Sequence, residues 1–149
     1  MVITFCGHST IYDTSDIQDK LCTLLQSMLK NESAIFYLGG YGDFDAIAKY
    51  CCTTFKSEHP DAELYFVTPY LDASYLDARD TDGYDGIIYP PLETVPKRLA
   101  IAVRNKWMIK QADAVIAYVD HSWGGAAKSL EYAHKLRKPY FNLGEYKFE

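Results

Sequence analysis

The amino-acid sequence predicts an α/β domain, three layers deep, with helices on both faces of a mainly parallel sheet. Two observations predict it. Short apolar runs of strand length alternate with segments whose apolar residues recur every three or four positions, the helical period. The strand-like runs are apolar on successive residues, so both of their faces must be covered, as for a parallel strand inside such a sheet. A third feature bears on what the sheet is for: the segments that leave the strands are rich in glycine and small polar residues.

The first strand is VITFC, Val2 to Cys6, and the helix after it carries Ile17, Leu21, Leu24, Leu25 and Met28 on one face, with Ser15 or Asp16 as its cap. The second strand is AIFYL, Ala34 to Leu38. Its helix carries Phe44, Ile47, Ala48, Cys51, Cys52 and Phe55, and Pro60 lies just past the end as a stop signal. A third strand, ELYFV from Glu63 to Val67, leads into a polar, tyrosine-rich stretch from Thr68 to Asp85 that has no period and reads as a loop or flap. A short strand GIIY and the turn PPLETVP follow. Then come a helix from about Lys97 to Gln111, the strand AVIAYV from Ala114 to Val119, a helix from about Gly125 to Leu136, and a closing strand YFNL. No linker, repeat or low-complexity tract divides the chain, so residues 1–149 are expected to form a single domain.

Composition narrows the function classes. A chain of 149 residues buries about two-thirds of its unfolded surface without metal or disulfide staples. Apolar residues at 48% and charged residues at 23% are ordinary for a soluble globular protein. No apolar run approaches the roughly 18 residues that span a bilayer, and the N-terminus has no leader pattern, so the expectation is a cytoplasmic protein without a membrane partner. The net charge of −5 argues against a nucleic-acid groove. The local cluster Lys135, Arg137 and Lys138 complements the end of a helix. The 4 cysteines, Cys6, Cys22, Cys51 and Cys52, form no C-x-x-C clip. Buried reduced thiols are expected, and no metal site.

In parallel sheets, ligands bind beyond the carboxyl ends of the strands. There the sequence places GHST, GGYGDFD, TPY and DHSWGG. Glycine lets backbone N–H groups approach an anion, and a following helix N-terminus adds about half a positive charge, so phosphate and ribose suit such loops. The candidate ligand-binding residues are Gly7, His8, Ser9, Gly39, Gly40, Gly42, Asp45, Pro69, Asp120, Ser122, Gly124 and Gly125. Alternatives stand beside them. GGYGDFD lacks the G-x-G-x-x-G spacing and reads equally as a tight turn with Asp43 or Asp45 near the cap. His8 reads equally as a hydrogen-bonded structural residue. His121 and Ser122 are adjacent in sequence, which is a poor arrangement for a base and nucleophile. Tyr70, Tyr75 and Tyr84 either stack on a base or cover the core.

Two stretches carry a resemblance. RNKWMIKQADAVIA, Arg104 to Ala117, resembles the segment before the glycine-rich turn of the LOG, or lysine decarboxylase-like, nucleotide hydrolases, and GGYGDFDAIA resembles the G-x-x-G-x-D turn of DprA-type DNA-processing proteins. Together they resemble the SLOG superfamily, nearest to its small stand-alone YpsA-like branch. The resemblance implies a Rossmann-like three-layer sandwich and a nucleotide-type ligand, with Arg104 and Asn105 added to the site. There Arg104 would meet a phosphate; as an ordinary helix residue it would make an ion pair. LOG hydrolases and nucleoside deoxyribosyltransferases carry G-T-x-x-E, whose Glu acts at the ribose carbon. Aligning Gly125 with that Gly puts Ala126 at the Thr and Ser129 at the Glu. Glu131 is the nearest catalytic candidate, but two helical steps turn a side chain by roughly 200°.

The expected function is therefore binding of a nucleotide or nucleotide-derived small molecule, as a sensor or binding domain, with no cofactor. The alternative is an N-glycosidic hydrolase or transferase acting on nucleosides or their monophosphates, with Glu131, Asp45, Asp113 or Asp120 supplying the carboxylate. A DNA-handling role is disfavoured by the charge, and a homodimer is left open.

Overall fold

The first apolar run becomes the strand on which the sheet is centred. In the computed structural model, which describes residues 1–148, β1 (Val2–Gly7) pairs in parallel with β2 (Ile35–Leu38) on one side and with the later strand β5 (Ala114–Tyr118) on the other. β3 (Glu63–Val67) and β4 (Gly86–Ile88) continue outward from β2, and β6 (Tyr140–Asn142) from β5. The order is β4-β3-β2-β1-β5-β6, with every neighbouring pair parallel. The expected Rossmann-like α/β sandwich is what the chain forms.

The two cores show why the strands had to be apolar on both faces. Side chains alternate across a strand. Ile3, Phe5, Phe36, Leu38, Leu64 and Ile116 face α1 (Thr14–Met28) and α2 (Asp43–Glu58), where they meet Leu21, Leu25, Phe44 and Phe55. Cys6, Val115, Ala117 and Val119 face the opposite layer, where they meet Ile109, Ala127, Leu130 and Ala133. That layer is α4 (Ala100–Gln111), preceded by a 3-10 turn at Lys97–Leu99, and α5 (Gly125–Lys135).

Three local expectations are corrected. α1 begins two residues earlier than a Ser15 cap would set, with Asp13 as its cap accepting from the Asp16 N–H at 3.4 Å, so Ser15 and Asp16 lie in the first turn. The stretch after β3 is not wholly irregular: it holds α3 (Ala73–Asp77), whose cap Asp72 accepts from the Tyr75 N–H. α3 buries no residue, so it leaves no apolar period to read. Finally, the cysteines are not all reduced. Cys22 of α1 and Cys51 of α2 are joined in a disulfide with their Cα atoms 5.1 Å apart, while Cys6 and Cys52 are free and buried. The pair is 29 residues apart in sequence, and only the packing of α1 on α2 brings it together. Burial pushes the Cys6 thiol up to about 12, which leaves it unreactive. No helix among the described residues is long and apolar enough to cross a membrane.

Candidate functional site

The strand order creates the site. From β1 the chain works outward through β2, β3 and β4, then returns to the other side of β1 with β5 and β6. The segments leaving β1 and β5 therefore diverge, and a crevice opens between them at the carboxyl ends, as at the switch point of any doubly wound sheet. It is a cavity of about 430 Å³. Gly7, His8, Ser9 and Thr10 wall it after β1, Gly39 and Tyr41 after β2, and His121, Gly124, Gly125 and Ala126 after β5. Asp45 of α2, with Ile101, Arg104, Asn105 and Met108 of α4 and Ser129 of α5, completes it.

Two helices point their N-termini at this region, and they differ. At α2 two of the first three amides, those of Asp43 and Phe44, are already taken. The Asp43 N–H donates to the Ser9 carbonyl at 2.9 Å and the Phe44 N–H to the His8 carbonyl at 3.4 Å. Asp43 accepts from the Ile11 N–H at 2.8 Å, and Asp45 from the Tyr41 N–H at 2.9 Å. The segment after β1 thus lies across the α2 terminus, and its glycines serve that closeness. A Cβ at Gly42 would stand 2.7 Å from the Ser9 Cα, one at Gly40 would stand 2.6 Å from the Phe66 ring, and one at Gly7 would collide with Phe44. Gly40 and Gly42 lie outside the cavity wall, so GGYGDFD takes the form of the tight turn.

At α5 the amides are free. Gly124 is the cap residue and supplies no side chain, and the first bond into the helix runs from the Lys128 N–H to the Gly124 carbonyl. Among the described residues, none accepts from the N–H groups of Gly125, Ala126 or Ala127. A Cβ at Gly124 or Gly125 would meet nothing within 4 Å. Unsatisfied amides with a positive dipole end, in a concave wall, suit an anion.

Arg104 does not stand free to meet one. It is 3% exposed, and its Nη1 donates to the Val67 carbonyl at 2.7 Å and the Gly39 carbonyl at 3.2 Å, with Nε donating to Asn105 Oδ1 at 2.9 Å. From α4 it ties together the carboxyl ends of β2 and β3. Burial lowers its pKa, and Asp45, Tyr75 and Tyr70 support its charge. Asp45 itself is raised to about 6 by burial, against the Tyr41 hydrogen bond and the Arg104 charge.

At the mouth, His8 accepts from the Asp120 N–H through Nε2 at 3.0 Å, and the same Nε2 lies 3.0 Å from Asp120 Oδ1. One nitrogen cannot both accept from the amide and donate to the carboxylate. Burial and the neighbouring His121 lower the His8 pKa, so the neutral ring accepting from the amide is the consistent state. His8 Nε2, Asp120 Oδ1 and His121 Nε2 lie within 4.8 Å of one another, close enough in distance alone to ligate a cation. The rings, however, stack at 3.9 Å with planes only 12° apart. A metal binds each imidazole in its ring plane, and one ion cannot lie in two parallel planes. The two imidazoles form a stack, and Trp123 extends it on the far side of His121, 3.9 Å away at 19°.

The remaining expected residues lie elsewhere. Glu131 is exposed on the outer side of α5, paired with Lys135 at 3.3 Å, while Ser129 occupies the cavity wall. The helix therefore starts in the register that leaves this wall without a glutamate. Asp113 is at the amino ends of the strands, accepting from the Val2 N–H. Pro69 is buried behind the wall, and Ser122 is exposed beside it. The flap tyrosines engage one another and their neighbours: Tyr70 meets Tyr75 edge-on, Arg79 lies over Tyr75, and Tyr84 packs on Phe66. Sequence reasoning missed Tyr41, Ile101 and Met108 in the wall and Trp123 at the mouth. Tyr41 and Trp123 carried a signal, a large aromatic beside a Gly-Gly pair.

Comparison with known proteins places the fold. No family profile matches the chain. It is 24% identical over 140 residues to the uncharacterized SPbeta prophage-derived protein YoqJ of Bacillus subtilis (strain 168), across 80% of this chain and 81% of that protein. Among solved structures, DNA processing protein A of Helicobacter pylori, described for its single-stranded DNA binding mode, superposes with a TM-score of 0.65 at 20% identity, over 100% of this chain and 67% of that one. The structural-genomics target TM1055 gives 0.61 at 15% identity, over 93% of this chain and 71% of that one. At these identities the likeness is one of architecture: the chain has a Rossmann-like fold of the kind found in DNA processing protein A.

Proposed function

We propose that this protein binds a small phosphate-bearing ligand of nucleotide type in the crevice between the β1 and β5 ends, with the anion on the N-terminus of α5. The observation that carries this reading is the contrast in amide use: three consecutive α5 amides have no partner among the described residues, and Gly125 and Ala126 stand in the cavity wall. Binding without catalysis is the favoured form, because the α5 position facing the cavity is Ser129 and Glu131 points away. The likeness to DNA processing protein A reopens single-stranded nucleic acid as an occupant. The exposed Trp123 favours it and the charge of −5 opposes it, so an oligonucleotide belongs in the test.

Gly125→Pro tests the anion site. Proline is well accommodated at the first position of a helix and removes one N–H, so the fold should persist with one donor fewer. Calorimetry with ribose 5-phosphate should show binding by the native protein and affinity about ten- to a hundredfold weaker in the variant, at an unchanged melting temperature, since one hydrogen bond to a charged group contributes about 1.5 to 3 kcal/mol. Equal affinity in the two proteins would remove α5 from the site.

A further inference from the structure

The crevice mouth holds a feature that the anion site does not use. Trp123 is 68% exposed, although one face of its indole is covered by His121. His121 is sandwiched in turn: its other face lies on His8, and His8 is fixed edge-on by Tyr118 and by the Asp120 amide. Two rings that each stand 3.9 Å from the His121 ring cannot share one of its faces, so His8, His121 and Trp123 form one column whose outer end is the free face of the indole. A lone surface tryptophan has several rotamers to lose on binding; here the ring is already propped from behind. Its position also fits. Trp123 precedes Gly125 by two residues, at most about 7 Å of extended chain, roughly the span of one sugar.

We infer that the outer face of Trp123 is a stacking platform for the unsaturated ring of a ligand whose phosphate sits on α5, that is, for a nucleobase joined to its phosphate through a ribose. This rests on the anion site proposed above and names which part of the ligand the rest of the mouth receives. Stacking reads the π-face that every base has, so the platform selects a base over no base and discriminates little among bases. It also assigns the base to the β5 side of the crevice, away from the flap tyrosines, whose rings are engaged with their neighbours.

The experiment compares four probes: adenosine, ribose 5-phosphate, AMP and a five-residue oligodeoxyadenylate, on the native protein and on Trp123→Ala and Trp123→Phe. The exposed position makes folding of both variants safe, and a thermal melt checks it. AMP should bind about tenfold or more tighter than ribose 5-phosphate. Trp123→Ala should erase that difference and leave ribose 5-phosphate unchanged; Trp123→Phe should keep most of it. In Trp107→Phe, which leaves Trp123 as the emitter, AMP and adenosine should quench fluorescence and ribose 5-phosphate should not. Equal affinities for AMP and ribose 5-phosphate, or an AMP advantage that survives Trp123→Ala, would overturn the platform. Failure of the anion site looks different: ribose 5-phosphate would not bind while adenosine still quenched Trp123, and silence from every probe would sink both. Tighter binding of the oligomer than of AMP, lost in Trp123→Ala, would identify a strand as the source of the base.

Discussion

Two helix N-termini in this molecule begin with a glycine in almost the same backbone state. Gly42 caps α2 at φ 92° and ψ 175°, and Gly124 caps α5 at φ 95° and ψ 172°. Neither offers a side-chain cap. Around Gly42 the chain itself fills the space and takes two of the first three amides, through the His8 and Ser9 carbonyls; around Gly124 it does neither. The same local sequence solution thus serves packing in one place and leaves an opening in the other. A glycine-led helix start identifies a backbone conformation, and what surrounds it decides whether a ligand has anything to bind.

One substitution made at both glycines should separate the two turns most clearly. Both Gly42→Ala and Gly124→Ala force a side chain into a backbone region that only glycine ordinarily occupies, at a cost of about 1 to 3 kcal/mol. At Gly42 the new Cβ must also displace the Ser9 backbone, so the loss there should exceed that at Gly124 by about 1 to 2 kcal/mol, read from urea denaturation. Equal losses would mean the two turns are not different in kind. Gly40→Val belongs with the first class: its Cβ meets Phe66, so it would report on packing and is unsuitable as a probe of binding.

A smaller effect distinguishes the closed turn by pH. Asp45 holds that turn through Tyr41, and its native pKa of about 6 lies above the ordinary 3.8. The folded state then binds more protons between those values, so this group's contribution to stability is greatest below 3.8 and is lost as pH rises through about 6. Asp45→Asn should match the native protein in stability near pH 4 and exceed it by about 3 kcal/mol at pH 8. A variant with no advantage at pH 8 would show that the carboxylate is not disfavoured there. The smallest expected effect is none. With Glu131 on the outer surface, chromatography should detect no free base released from AMP or deoxyadenosine, and Glu131→Gln should change nothing. Release that persists in Glu131→Gln would move the acid to Asp45 or Asp120.

The sequence was most legible where a property repeats along a short stretch. Alternating strand and helix periods located every strand of the sheet and four of its helices, because apolar residues such as Leu21, Leu25 and Phe55 face one core. α3 escaped because it is five residues long and buries nothing. The Cys22–Cys51 bond and the occupied α2 terminus escaped for another reason: their partners lie 29 and more than 30 residues away, and only tertiary packing joins them. The crevice followed from the rule that ligands bind beyond strand carboxyl ends, and it gathered Gly7, His8, Ser9, Gly39, Asp45, Arg104, Asn105, Gly124 and Gly125 into one wall. The role of Arg104 did not follow. A guanidinium in sequence reads as a ligand for an external anion, and here its acceptors are the carbonyls of Gly39, just past β2, and Val67, the last residue of β3.

That use of Arg104 has a kinetic consequence. Among the described residues, the cavity wall contains no lysine and no arginine besides this one, whose Nη1 is held by the Val67 and Gly39 carbonyls. At the proposed site an arriving phosphate would therefore find oriented amides and about half an elementary charge of helix dipole, without a mobile cationic side chain to close on it. Held this way, the anion should dissociate quickly and its occupancy should follow its concentration. That is the behaviour of a gauge, in which the reading must be able to fall as readily as it rises.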